Sequence, residues 1–246
     1  MDRRAIHISA GLIICTLIAS VTWGWVRLHR VTTIDVRGSA KRRISSDLVQ
    51  WAAVVGAKDN TRVGAYTTLA KDVERTRQFL ESQGVPGDQI RISSADVQEL
   101  AHEETLEEGS KLVQKRVFDG WYAQQRIEVT STDVPRIERL AREATQLLEK
   151  GVAITSESPR YHYTKVSDLK IEMLAEASRD ARLRAERMLE AAGGGATVGR
   201  VEGINTGVIN INAANSTETS WEGNYDTSSF EKDIITTVRV LFEVNN

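Results

Sequence analysis

The sequence predicts an α+β fold: helices stacked on a mainly antiparallel sheet, strand–helix–strand units, and one N-terminal transmembrane helix ahead of them. Three observations carry this. Apolar and polar residues alternate in several separate stretches, the period-two pattern of strands with one buried face. A strand–helix–strand pattern occurs twice, from about Leu48 to Ser93 and from about Ala123 to Ser156. Strands and helices nevertheless do not alternate strictly along the chain, which points away from a wholly parallel sheet. The two units suit ferredoxin-like halves.

In chain order, Ile6 to Val26 comes first: 21 residues without a formal charge, with Arg3 and Arg4 before them and Arg27 and Arg30 after. As a helix this is long enough to span a bilayer core. A cleaved signal peptide is the competing reading. Three features favour a retained anchor: the length, the want of a clear A-x-A site, and Trp23 and Trp25 at the C-terminal end, where an aromatic belt sits. The expected division is therefore an anchor with its flanks at 1–30 and a domain at 31–246, with the cytoplasmic membrane as the partner of Ile6 to Val26. Basic residues flank both ends, so charge codes orientation weakly.

Thr32 to Ala40 and Val49 to Ala57 alternate as two strands, with KRRISSD between them expected as a turn. Leu69, Val73, Thr76 and Leu80 mark one face of a helix that stops near Gly84 and Pro86, and Gln89 to Ser93 is a short strand. Ala95 to Phe118 is the least patterned part. It carries Glu99, Glu103, Glu104, Glu107 and Glu108, then Lys111, Lys115 and Arg116, and is expected as a solvated loop or hairpin tip. Ala123 to Val129 is a strand. Asp133 caps the next helix, with Pro135 tolerated in its first turn and Ile137, Leu140, Ala144, Leu147 and Leu148 facing inward. Gly151 ends that helix and Val152 to Ser156 returns as a strand.

The longest helical pattern of the domain lies between Ser158 and Gly195. A strand with Tyr161 and Tyr163 leads into it, and Ser167 or Asp168 is the expected cap. Leu169, Met173, Ala177, Ala181, Ala185, Met188 and Ala192 recur at steps of four or three and share one face. Its middle is alanine only, so the helix backbone can approach a sheet closely. Asp180 and Arg184 form a favourable i,i+4 pair, and Gly193–Gly195 close the helix. Val198 to Ile211 and Phe230 to Val244 are the last strands, the latter placing Ile234, Thr236, Val238, Val240, Phe242 and Val244 on one face.

Composition narrows the function. The first thirty residues hold four of the 32 basic residues and one of the 34 acidic ones, leaving 28 against 33. A mildly acidic domain without a basic run argues against a nucleic-acid partner. The one cysteine, Cys15, lies in the apolar run, so the domain cannot form an internal disulfide. His7, His29, His102 and His162 lack metal-ligand spacing, and no metal or cofactor is expected. The glutamate cluster lacks the spacing and turn glycine of a calcium loop. No G-x-S-x-G is present. The Gly193–Gly195 run follows a helix, where a dinucleotide loop would follow a strand and open a helix. No catalytic residue is assigned: Ser228 and Ser229 have no evident base, and with Asp226 they suit a turn held by side-chain bonds to backbone. Asn212 to Ser229 is long and polar and carries Trp221 and Tyr225. Long loops in compact domains are often functional, so these two rings are interface candidates; the alternative is that both fold back on their own domain.

Four stretches carry a resemblance: TIDVRGSAKRRISSDLVQW, YAQQRIEVTSTDV, YHYTKVSDLKIEMLAEASRDARLRAERMLEAAGG and YDTSSFEKDI. In this order they resemble the SIMPL-domain family of bacterial envelope proteins, and they cover nearly everything after residue 31. Tyr161, Tyr163, Asp168, Lys170, Asp180, Ala181, Asp226, Thr227 and Ser228 fall on the family signature. The resemblance implies a domain on the periplasmic side of the cytoplasmic membrane, large homo-oligomers and a link to oxidative-stress tolerance. It names no reaction. The expected function is a membrane-anchored, non-catalytic binding or assembly module. The alternatives are a channel-like periplasmic homo-oligomer and an envelope enzyme whose site, around Tyr161, His162 and a carboxylate, is assembled across strands.

Overall fold

A computed structural model describes residues 20–22, 32–108, 111–218 and 220–245. Apart from 20–22, the expected anchor at Ile6 to Val26 lies outside the described residues. Among those described, no helix is long and apolar enough to cross a membrane. The chain forms two compact units. One holds residues up to Lys41, Lys170–Ile209 and Thr236–Asn246; the other holds Arg42–Leu169 and Asn210–Ile235. The α+β class with antiparallel pairing is as the sequence predicts.

The second unit is built on β2 (Leu48–Asp59) and β5 (Lys111–Ser131), paired antiparallel from Val49↔Ser131 to Asp59↔Trp121. β3 (Ile90–Ile92) and β4 (Asp96–Glu108) lie along the far side of β5. β6 (Ala153–Ser156) and β7 (Arg160–His162) follow one another along the far side of β2. The resulting order β3-β5-β2-β6 is that of two interleaved strand–helix–strand units, the ferredoxin-like arrangement. α1 (Arg62–Ser82) and α2 (Val134–Glu143) cover one face. Thr61 caps α1 by accepting from the Gly64 amide at 3.0 Å, and Asp133 caps α2 by accepting from the Arg136 amide at 3.2 Å. The core joins Val49, Trp51, Ala53 and Val55 of β2 with Ile127 and Val129 of β5, Leu69 and Leu80 of α1, and Ile137 and Leu140 of α2.

Three expectations need correction in this unit. KRRISSD is not a turn: β1 (Thr33–Ser45) runs through KRRIS, because Ile44 is buried and Arg43 has a buried partner in Asp233, leaving Ser46–Asp47 as the connection. Ala95–Phe118 is mostly strand, the hairpin of β4 and β5, whose charges hide the alternation. The α2 helix ends at Glu143 and tightens into a 3₁₀ stretch, Ala144–Lys150. Three residues per turn rotate the face, so Leu147 is buried and Leu148 is exposed.

In the first unit, α3 (Val166–Ala192), counted from Lys170, lies on β1, with β10 (Glu231–Asn245) next and β8 (Thr197–Ala213) beyond it. Met173, Ala177, Ala181 and Ala185 are fully buried. A Cβ on Gly38 of β1 would lie 2.1 Å from the Ala177 carbonyl oxygen and 2.4 Å from the Ala181 nitrogen. Helix and strand backbones therefore touch, which the alanine stripe and this glycine permit together. The stripe stops early: Met188 and Ala192 are exposed. Helix α3 begins at Val166, so Ser167 and Asp168 sit inside its first turn and neither caps it. Asp180 pins the contact. It accepts from the Ser39 amide at 2.7 Å and pairs with Arg184 at 2.8 Å, which holds its carboxyl below the usual range.

Candidate functional site

The family-signature residues fall into two groups. Lys170, Asp180 and Ala181 belong to the first unit, where Ala181 packs, Asp180 pins Ser39 and Lys170 is exposed. Tyr161, Tyr163, Asp226, Thr227 and Ser228 come together in the second unit, where the β7 strand meets the segment after β9 (Asn224–Tyr225). Asp168 is exposed and joins neither cluster.

At that junction the Tyr161 amide donates to the Thr227 carbonyl at 2.8 Å. The Tyr161 ring meets Phe230 edge-on, with centroids 6.1 Å apart, and its hydroxyl donates to Glu138 at 2.8 Å. Burial first, then that carboxylate, pushes the phenol up to about 12. His162 stacks on Tyr225 at 6.3 Å between centroids, and the Tyr225 hydroxyl reaches the Tyr163 carbonyl at 3.5 Å. The His162 Nε2 is buried with no hydrogen-bond partner among the described residues. Burial, and then Lys232 and Arg160, hold this imidazole below its usual value.

Asp226 is the hub of the following turn. It accepts from the Ser228 amide at 3.1 Å, the Ser228 hydroxyl at 2.7 Å and the Ser229 amide at 3.2 Å, and also from the Ser229 hydroxyl. Lys232, fully buried, donates its Nζ to Asp226 at 3.1 Å. Burial alone would raise this carboxyl, but the bonds from Ser229, Ser228 and Lys232 outweigh it and hold it far below the usual range. The serines thus fix a turn, and their oxygens are engaged by a carboxylate that stays ionised.

The loop before this turn is anchored from both sides. Asn210 accepts from the Ser220 amide at 2.9 Å, and Asn212 donates to the Glu218 carbonyl and accepts from Asn224 at 2.8 Å. Arg43 bridges Asp233 at 2.9 Å and Asn215 at 2.6 Å. From this pinned backbone Trp221 projects at 90% exposure, and Tyr225 is 46% exposed. Trp221 does not fold back on its domain; Tyr225 covers His162 with one face. The sequence reading missed Lys232, whose burial has no signal beyond its place in a long strand, and the Arg43–Asp233 pair, for which 190 residues separate the partners.

Elsewhere in the second unit a cleft of about 80 Å³ on the polar side of the sheet is lined by Gln50, Arg126, Glu157 and Arg160. Arg126 is forked onto Glu157 and also bonds Glu128 at 2.8 Å, so the charges there satisfy each other. Among the described residues no group of three His, Cys, Asp or Glu side chains is placed to hold a metal.

What fold and site define is a two-unit α+β protein whose signature residues hold a turn and a loop in place and present aromatic rings outward. The chain belongs to the SIMPL family, described as proteins of unknown function (DUF541), whose family model matches residues 34–240. No curated protein matches the sequence.

Proposed function

We propose that this SIMPL protein is a non-catalytic binding and assembly module of the bacterial envelope, held to the cytoplasmic membrane through Ile6 to Val26 with its domain on the outer side. The observation that carries the reading is Trp221, 90% exposed on a loop whose backbone is fixed by Asn210 and Asn212. A rigid ring presented by an ordered loop loses little entropy on docking, and such rings dominate interface energies. The partner is another copy of the chain. Asp226, with its serines and Lys232, serves to shape the turn that carries the rings. The family link to oxidative-stress tolerance is part of the proposal and is checked by the peroxide sensitivity of cells lacking the protein.

The test is the solution mass of the full-length protein in mild detergent, compared with Trp221→Ala. The variant is expected to weaken assembly by about 2 kcal/mol or more and to leave the circular dichroism spectrum and melting temperature unchanged. An oligomer unaffected by the substitution clears this loop of the role.

A further inference from the structure

The hairpin of β4 and β5 leaves its sheet. β5 pairs with β2 only from Trp121 onward, and β3 covers β5 only at Ile127–Val129. From Ala101↔Phe118 to Glu108↔Lys111, β4 and β5 pair with each other and, among the described residues, with no other strand. The departure point is built in. The register shifts between Leu100 and Ala101, and Gly120 takes φ +114° with the Asp59 carbonyl oxygen only 2.8 Å from where a Cβ would be. Eight residues of strand make an arm of about 27 Å. Both its edges present free backbone amides and carbonyls, and a two-stranded ribbon is marginal on its own in water.

The arm is segregated by charge. Its outgoing strand, residues 101–108, carries Glu103, Glu104, Glu107 and Glu108 and no basic residue except His102. Its returning strand, 111–118, carries Lys111, Lys115 and Arg116 and no acid. Glu103 lies opposite Arg116 and Glu104 opposite Lys115. All four are exposed, and Glu103, Glu104 and Lys115 make no ion pair among the described residues, while Arg116 reaches back to Glu99 at 3.4 Å. One edge is thus acidic and the other basic, and each matches the opposite edge of an identical arm.

We infer that the arm docks edge to edge with the arm of a second copy, the β4 edge of one chain pairing antiparallel with the β5 edge of the next. This rests on the assembly reading above and names a surface for it. With arms pointing the same way, the glutamate–lysine and glutamate–arginine pairs inside one arm repeat between arms. Pairing of β4 with β4 would set glutamates against glutamates, and β5 with β5 would set cations against cations. Charge therefore selects head-to-tail contact, which propagates into a ring or a filament.

Two charge-reversal variants of the full-length protein test this, with mass measured by sedimentation velocity in mild detergent. At the facing positions 103/116 and 104/115, E103K/E104K places cations on both edges and K115E/R116E places acids on both. Each alone is expected to raise the assembly midpoint concentration about tenfold or more, and an equimolar mixture restores it, because each variant supplies the edge the other needs. The fourfold variant E103K/E104K/K115E/R116E keeps its internal pairs with signs exchanged and is expected to assemble with itself. If the two double variants assemble like the wild type, or if their mixture fails to restore assembly, the arm is not the contact, and the assembly reading stands on other surfaces. A wild-type chain that remains monomeric overturns both.

Discussion

Gly38→Ala is the sharpest test of how α3 sits on its sheet. In an open strand this change is mildly stabilising, by about 0.4–1 kcal/mol, because the unfolded chain loses freedom. Here the added methyl would lie 2.1 Å from the Ala177 oxygen and 2.4 Å from the Ala181 nitrogen, well inside van der Waals contact. Both atoms are helix backbone, so no rotamer change relieves the overlap, and the helix must recede by more than 1 Å, on the order of an added methylene's width. Overpacking of this kind costs about 1–3 kcal/mol; less the unfolded-state gain, the net loss is about 1.3 kcal/mol. For a chain of this size that lowers the transition by about 3–5 °C. Differential scanning calorimetry measures it, reading the transition of the unit that contains α3. Ala181→Leu, at a fully buried position, is expected to cost about as much, whereas exposed Arg182→Leu stays within about 0.5 kcal/mol. If Gly38→Ala leaves the transition in place, or if Arg182→Leu moves it equally, the close backbone contact is wrong.

Other outcomes follow from the junction. Asp226→Asn leaves the fully buried Lys232 without its counter-charge and is expected to cost about 3 kcal/mol in urea unfolding, part of it recovered when Lys232→Met is added. The depressed carboxyls of Asp226 and Asp180 ionise more readily folded than unfolded, so their stabilisation is complete above about pH 4 and is lost as pH falls through their folded values; acid titration of the wild type shows this fall, and Asp226→Asn reduces it. His162 is lowered in the folded chain, so the unfolded state binds more protons just below pH 6.5 and stability declines as pH drops through that region; His162→Phe keeps the stack on Tyr225 and flattens the decline.

Much of this was legible because the signals were local. The stripe Leu169, Met173, Ala177, Ala181, Ala185 has one period, and each residue is buried. Met188 continues the period but not the burial, since periodicity does not say where the covered sheet ends. The Leu148 error has the same root: the sequence holds a helical repeat, while the turn at Ala144–Lys150 tightens and changes which side faces in. The arm was illegible for a different reason. Glutamates on one strand and cations on the other resemble a solvated loop until the register is known. At the junction, Asp226 and its serines were readable as a turn, because an aspartate two and three residues before serines bonds locally. Lys232 and the Arg43–Asp233 bridge were not, because they depend on which distant strands become neighbours.

The central claim is assembly of identical copies, and native mass spectrometry of the full-length protein released from detergent tests it most directly. Assembly through the charged arm gives masses that are multiples of the 27.3 kDa chain and that shift toward the single chain as salt is raised. A single species of 27.3 kDa at every concentration and ionic strength would contradict it.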